Sequence, residues 1–226
     1  MVLAAGDAHQ PGGAEALEKL CRTYWYPLYA YVRRKNYESH DAQDLTQEFF
    51  ARLLARNYLS VADRKKGKFR SFLLGSLEHF LAREWTRSHA QKRGGGQPLF
   101  SLDELDAENR YLLEPAHELT AERIFDRRWA TTLLEQAMIR LREECSANGK
   151  GALFEKTQDF LSGDKTEASY VEVAASLNMS EGAVKVAVHR LRRRYGELVR
   201  AEIAQTVTNP QEEDEELQYL FAVLRE

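Results

Sequence analysis

Cysteine is almost absent from this chain. Cys21 and Cys145 are the two it has in 226 residues. Neither lies in a CxxC or CxxH pattern, which excludes a zinc knuckle and a disulfide scaffold, and lone thiols point to the cytoplasm. Proline is scarce too. Five prolines and 13 glycines exclude a collagen-like or linker-like chain. Long hydrophobic runs are missing: charge interrupts every apolar patch well short of the roughly 20 residues that span a bilayer. Met1 to Asp7 has no basic segment followed by an apolar stretch, so no secretory signal is expected. Gly94-Gly95-Gly96 has no Lys-Ser/Thr after it and follows a helical stretch rather than a strand, so it is no phosphate loop. No Gly-x-Ser-x-Gly elbow or Cys/His pair offers a nucleophile. Neither sign of charge dominates, with 32 Lys and Arg against 35 Asp and Glu and a net charge of -3. Taken whole, that balance argues against nucleic acid; taken by segment it does not.

What is there reads as helix almost throughout, with no strand. Between Ala14 and Arg34 the residues Leu17, Leu20, Cys21, Tyr24, Leu28 and Tyr31 recur at three- and four-residue steps. Pro27 falls inside that run and predicts a kink or two short helices. Asn36 to Ser39 reads as a turn. Ser39 is the expected N-cap of a helix that opens with Asp41 and Asp44, turns Leu45, Phe49, Leu53 and Leu54 inward, and ends near Asn57. After a basic loop at 58–68, Phe69, Phe72, Leu73, Ser76, Leu77, Phe80, Leu81 and Trp85 form one stripe. Lys92 to Pro98, with its three glycines, breaks that helix and marks a domain boundary. Residues 99–119 are acidic and aperiodic and read as a linker. A second helical block starts near Thr120, with Ile124, Trp129, Leu133, Leu134, Ala137, Met138 and Leu141 on its apolar face. A short helix through Leu153, Phe154 and Phe160 precedes two helices at 169–177 and 181–205.

Those last two have the grammar of a helix-turn-helix. Val171, Val173, Ala174 and Leu177 are small or apolar and let a second helix cross closely. Asn178 can take the left-handed turn conformation, and Ser180 can cap the second helix. Val184, Val188 and Leu191 face the core. That leaves Glu181, Lys185, His189 and Arg192 on a face that fits a major groove. From 181 to 200 six basic residues oppose two acidic ones, a net charge of +4. An ordinary helical hairpin explains the arginines through the helix dipole, but not the whole turn.

A second basic block runs from Arg56 to Arg93. Arg56, Arg64, Lys65, Lys66, Lys68, Arg70, Arg83, Arg87, Lys92 and Arg93 oppose Asp63, Glu78 and Glu84, a net charge of +7. Phe69, His79 and Trp85 are interleaved. Basic residues attract phosphates, and rings stack on unpaired bases. The competing reading makes Phe69 and Trp85 core residues. His40, Asp44 and Glu48 share a helix face and have the spacing of metal ligands. No second cluster supplies the remaining ligands, so no metal is expected, and no catalytic residue or cofactor either.

The order of these motifs carries a resemblance. An acidic-start helix (Asp41-Ala42-Gln43-Asp44-Leu45-Thr46-Gln47-Glu48-Phe49-Phe50) comes first. Phe69-Arg70-Ser71-Phe72-Leu73-Leu74 with a basic helix follows, then a linker and the helix-turn-helix. This resembles an extracytoplasmic-function sigma factor of bacterial RNA polymerase, in the sigma-70 superfamily, over about residues 14–93 and 120–206. The resemblance implies an all-α fold of two small helical domains joined by a flexible acidic linker. Residues 1–93 would bind core polymerase and the −10 element, 94–119 would be the linker, and 120–206 would carry the helix-turn-helix for the −35 element. Residues 207–226 would be an acidic extension.

By position, the resemblance implies that Asp41, Asp44, Gln47, Glu48 and Arg52 dock on the polymerase β′ clamp. Lys65, Lys66, Lys68, Phe69, Arg70, His79 and Arg83 would handle the −10 strand. Ser180, Glu181, Lys185, His189, Arg190 and Arg192 would read the −35 duplex, with this domain seated on the β flap. The implied partners are core RNA polymerase, promoter DNA and a regulator, either a Ser/Thr kinase or an anti-sigma factor, with no membrane insertion. The polymerase is the enzyme and this chain supplies specificity. Gln43 replaces a Glu of the usual acidic motif, and His79 stands where Asn is common. Phosphorylation of Thr46 is expected to restore negative charge to the weakened face.

Two other function classes make different demands. A helix-turn-helix regulator acting without polymerase needs a sensor domain at 1–97. A metal-dependent nuclease needs a second carboxylate cluster. The charge arithmetic fits the first reading. Residues 101–126 carry a net charge of -6 and 211–226 one of -5, so the overall balance is a cancellation between surfaces. In the tail, Glu212 to Glu216 followed by Leu217, Tyr219, Leu220, Phe221 and Leu224 reads either as a solvated acidic end or, by its apolar spacing, as a short amphipathic helix that packs on a domain or mimics DNA against a basic surface.

Overall fold

The computed structural model describes residues 13–55, 68–88, 104–113, 119–161, 169–207 and 209–225. Among these every regular element is helical. In chain order they are α1 (Gly13–Arg34), α2 (Ser39–Ala55), α3 (Phe69–Ser88), α4 (Glu104–Leu112), α5 (Ala121–Ala147) and α6 (Gly151–Thr157). A 3-10 turn (Gln158–Phe160), α7 (Tyr170–Ser176), α8 (Glu181–Ala204) and α9 (Pro210–Arg225) follow. Of the described helices, none is long and apolar enough to cross a membrane. The contacts divide the chain into two units, Met1–Thr132 with Ala204–Glu226, and Leu133–Ile203.

In the first unit the stretch of α1 from Thr23 to Val32 is enclosed on all sides. Tyr24, Trp25, Tyr26, Leu28, Tyr29, Ala30, Tyr31 and Val32 are all buried, where a surface helix would bury one stripe. α1 packs on α2 and α4, and α2 packs on α3. Pro27 does not divide it, for α1 is continuous from Gly13 to Arg34. A proline removes one backbone donor. Here Trp25 and Tyr29, on either side of it, stack at 5.3 Å, and burial of the whole aromatic run outweighs the lost bond. Just past the end of α1, Asn36 has φ 67°, the left-handed conformation that closes a helix. Ser39 is not the cap of α2. The Glu38 carbonyl accepts the Ala42 N–H at 2.8 Å, and the Ser39 hydroxyl lies 3.1 Å from that of Tyr29.

α4 lies inside the stretch that reads as a linker. Ala107 is buried, and Glu108 accepts hydrogen bonds from Arg33 at 2.7 and 3.0 Å and from the Tyr29 hydroxyl. Burial alone would raise the Glu108 pKa, but the bonds from Arg33 and Tyr29 hold it below the ordinary carboxylate value. α4 is thus held by a cation 75 residues upstream, which no local pattern reveals.

The second unit holds the two-helix motif. Phe160, Val173, Ala174, Val184 and Val188 form its core, with Tyr170, Leu177 and Met179 against them. The Ser169 side chain accepts from the Glu172 N–H while the Glu172 carboxylate accepts from the Ser169 N–H, a capping box that starts α7. Val171, expected to help the crossing, is exposed.

Candidate polymerase and nucleic-acid interfaces

α2 presents one charged face. Asp41, Asp44 and Glu48 are exposed, and Gln47 and Arg52 are half-exposed. Arg52 pairs with Glu48 on its own helix and with Glu84 of α3 at 2.7 Å, and its guanidinium lies 4.9 Å from the centre of the Phe80 ring. It therefore ties α2 to α3 as well as bordering the acidic face. Ala42, Gln43 and Thr46 point the other way and are buried. The Gln43 substitution is therefore off the charged face. Thr46 is fully buried, and its hydroxyl donates to the Ala42 carbonyl at 2.7 Å. A phosphate on Thr46 would have to enter the core, so the expectation of a modified docking face at this position is corrected. His40 sits 3.5 Å from Asp44, but among the described residues no group of three potential ligands is poised for a metal ion.

Between α2 and α3 lies a cavity of about 310 Å³. Phe49, Leu53 and Phe80 give it an apolar floor, and Arg52, His79 and Arg83 line its rim. Phe49 and Phe80 meet at 5.7 Å. His79 and Arg83 are exposed, and neither has an ion-pair partner among the described residues. An apolar floor with cationic edges suits a flat ring whose phosphates stay outside.

The N-terminal end of α3 behaves differently. Phe69 is buried and packs edge-on against Tyr24 at 5.5 Å. Arg70 is buried among Asp126, Glu216 and the Tyr219 ring. So Phe69 is a core residue here, whereas Trp85, 60% exposed, is not. The stripe read as continuous is inward only as far as Leu81. Lys68 is described and half-buried; Lys65 and Lys66 lie outside the described residues.

In the second unit the turn has the expected form. Asn178 has φ 52°. The Ser180 hydroxyl accepts the Ala183 N–H at 3.2 Å and so caps α8. Glu181, Lys185, His189 and Arg190 are exposed along α8. Lys185 pairs with Glu181 at 2.6 Å, and the first effect of that bond is to raise the Lys185 pKa. His189 and Arg190 have no ion-pair partner among the described residues. Arg192, also exposed, has a local task. It donates to the Phe160 carbonyl at 2.6 and 3.0 Å and so ties α8 to the 3-10 turn at Gln158–Phe160. Arg194 binds Glu144 of α5 through two bonds of 2.8 Å. A groove of about 600 Å³ opens beside these, floored by Leu141, Leu153, Met179 and Leu191 and bordered by Lys150 and Arg190.

A family model described as ECF sigma factor matches residues 7–200. The chain belongs to the ECF sigma factor family. No curated protein and no solved structure matches it. This sigma factor directs core RNA polymerase to specific promoters and helps melt the −10 element during initiation. It binds core polymerase and promoter DNA, and a regulator acting without polymerase is no better supported. Two features of this sigma factor had no local signal in the sequence: the Arg52–Glu84 link between α2 and α3, and the acidic cage around Arg70.

Proposed function

We propose that the sigma factor divides its work by unit. The outer face of α2, with Asp41, Asp44, Gln47, Glu48 and Arg52, docks on the β′ clamp. His79 and Arg83 at the cavity between α2 and α3 hold an unpaired base of the −10 strand, with Lys65, Lys66, Lys68 and Arg70 neutralising its phosphates and Phe69 supporting them from the core. α8 enters the −35 major groove, Ser180, Glu181, Lys185 and His189 near base edges and Arg190 near a phosphate. Arg192 supports the motif through the Phe160 carbonyl. The groove beside α8 receives an apolar element of the β flap. Residues 1–93, 94–119, 120–206 and 207–226 remain the functional divisions, and the protein works in the cytoplasm without catalytic residues of its own. Control by a Ser/Thr kinase or an anti-sigma factor belongs to the same proposal. A kinase acting on Thr46 itself would first have to open α2.

The observation that carries this reading is the cavity: an aromatic floor beside an exposed imidazole and an exposed guanidinium fits a base taken out of its stack. The test is reconstitution with core polymerase and run-off transcription from a candidate promoter. Initiation on bare core enzyme is expected. In the same assay His79→Ala should lower permanganate reactivity of the −10 thymines while core binding is retained. A helix-turn-helix regulator would give no initiation at all.

A further inference from the structure

The acidic tail is built as a docked helix. The Asn209 side chain accepts the Glu212 N–H at 2.9 Å and so caps α9, and Glu212 and Glu213 in its first turn suit the helix dipole. Leu220 is fully buried, and Glu216 is 2% exposed. A carboxylate this far from water needs cationic partners. Glu216 has two, the Lys68 ammonium at 2.9 Å and the Arg70 guanidinium at 3.3 Å. Glu215 adds a contact to Lys68 at 3.5 Å. The Tyr219 ring lies 4.1 Å from the Arg70 guanidinium, and its hydroxyl donates to Asp126 at 2.7 Å. Anionic oxygens and a stacked ring around an arginine are what a phosphate and a base would also offer. Arg70 cannot serve both, because it is 8% exposed while α9 is in place.

We infer that α9 is a competitor for single-stranded DNA carried within the chain: Glu215, Glu216 and Tyr219 occupy Lys68 and Arg70, and the tail must lift before these cations can bind the −10 strand. This rests on the proposed role of Lys68 and Arg70 in handling that strand. Such a factor would bind DNA weakly when free and more strongly once the tail is displaced.

The test uses full-length protein and a fluorescein-labelled single-stranded DNA of about 12 nucleotides and randomised sequence, followed by anisotropy at about 0.1 M salt. Leu220→Asp removes the buried anchor of α9 yet adds a negative charge. It should bind the oligonucleotide at least about tenfold more tightly. The slope of log affinity against log salt should steepen by about 1.4, for two further phosphate contacts. Glu216→Gln, which keeps the side-chain shape, should shift binding the same way by less. Adding Lys68→Ala to Leu220→Asp should remove most of the gain. If Leu220→Asp, with amides of residues 209–225 exchanging faster and the rest of the protein still protected, and Glu216→Gln both bind no more tightly than the wild type, α9 is no competitor. Open-complex formation with core polymerase separates the two readings. Lys68→Ala that lowers it, alongside unchanged binding by Leu220→Asp, overturns the tail inference alone; Lys68→Ala without effect there overturns the strand-handling role, and the inference with it.

Discussion

Arg70→Met is expected to release α9 without unfolding the unit it packs on. The side chains of Arg70, Glu216 and Asp126 are 10%, 2% and 15% exposed, so their charges are largely cut off from water. Burial opposes the charge on Arg70, but Asp126 and Glu216 outweigh it and hold its pKa above the ordinary arginine value. Removing one partner of such a pair costs about 3–5 kcal/mol, because the other is left buried and uncompensated. Lys68 stays 2.9 Å from Glu216, which puts the loss near the lower end, about 3 kcal/mol. Against this stands the docking of α9, anchored by fully buried Leu220, worth about 1.5–3 kcal/mol. The two are of equal size, so lifting α9 and rehydrating Glu216 is the cheapest relief. A loss of about 3 kcal/mol raises the opening equilibrium constant of α9 by about 150-fold. Hydrogen exchange followed by mass spectrometry should show amides of residues 209–225 exchanging about 100-fold faster, with α1 and α3 unchanged. If α9 keeps wild-type protection, or α1 loses protection along with it, the reasoning about where the buried charge finds relief is wrong.

Three further outcomes follow from single contacts. Glu108→Gln should cost about 1–2 kcal/mol at neutral pH by weakening the bonds from Arg33 and Tyr29. Because the folded-state pKa of Glu108 is lowered, its contribution is present above the ordinary value of 4.5 and lost as pH falls through the folded value; the gap between wild type and variant in denaturant melts should close in that direction, and a constant gap refutes the assignment. Arg192→Ala should lower the stability of the second unit by about 1 kcal/mol for its half-solvated bonds to the Phe160 carbonyl, read in denaturant melts, whereas a purely phosphate-binding arginine would change DNA affinity and leave stability alone. Thr46→Glu should destabilise α2 by about 3 kcal/mol or more, while Thr46→Val stays within about 1 kcal/mol; a folded Thr46→Glu protein with improved polymerase binding would overturn the account of Thr46 as a core residue.

The helix-turn-helix was legible because its determinants are local. A left-handed Asn178, a hydroxyl cap at Ser180 and apolar positions at Val184 and Val188 all act within a dozen residues. The acidic face of α2 was legible for the same reason. Thr46 was misjudged because α2 buries a wide arc, so a polar residue beside the charged face can still point inward. Phe69 and Trp85 have the same kind of side chain on one helix, and periodicity could not tell which end of α3 is covered. Phe69 meets Tyr24 of α1 while Trp85 lies beyond the packed stretch.

Sequence by itself determined the all-helical class, the family and the segregation of charge, because these depend on composition, spacing and order along the chain. Tertiary structure alone decided which charges are available. Arg70 and Glu216 are 146 residues apart and meet in a site nearly closed to water. Arg33 and Glu108 meet across 75. A cation's value for DNA depends on what already holds it. Such partners come from the packing of α4, α5 and α9 rather than from any neighbour in sequence.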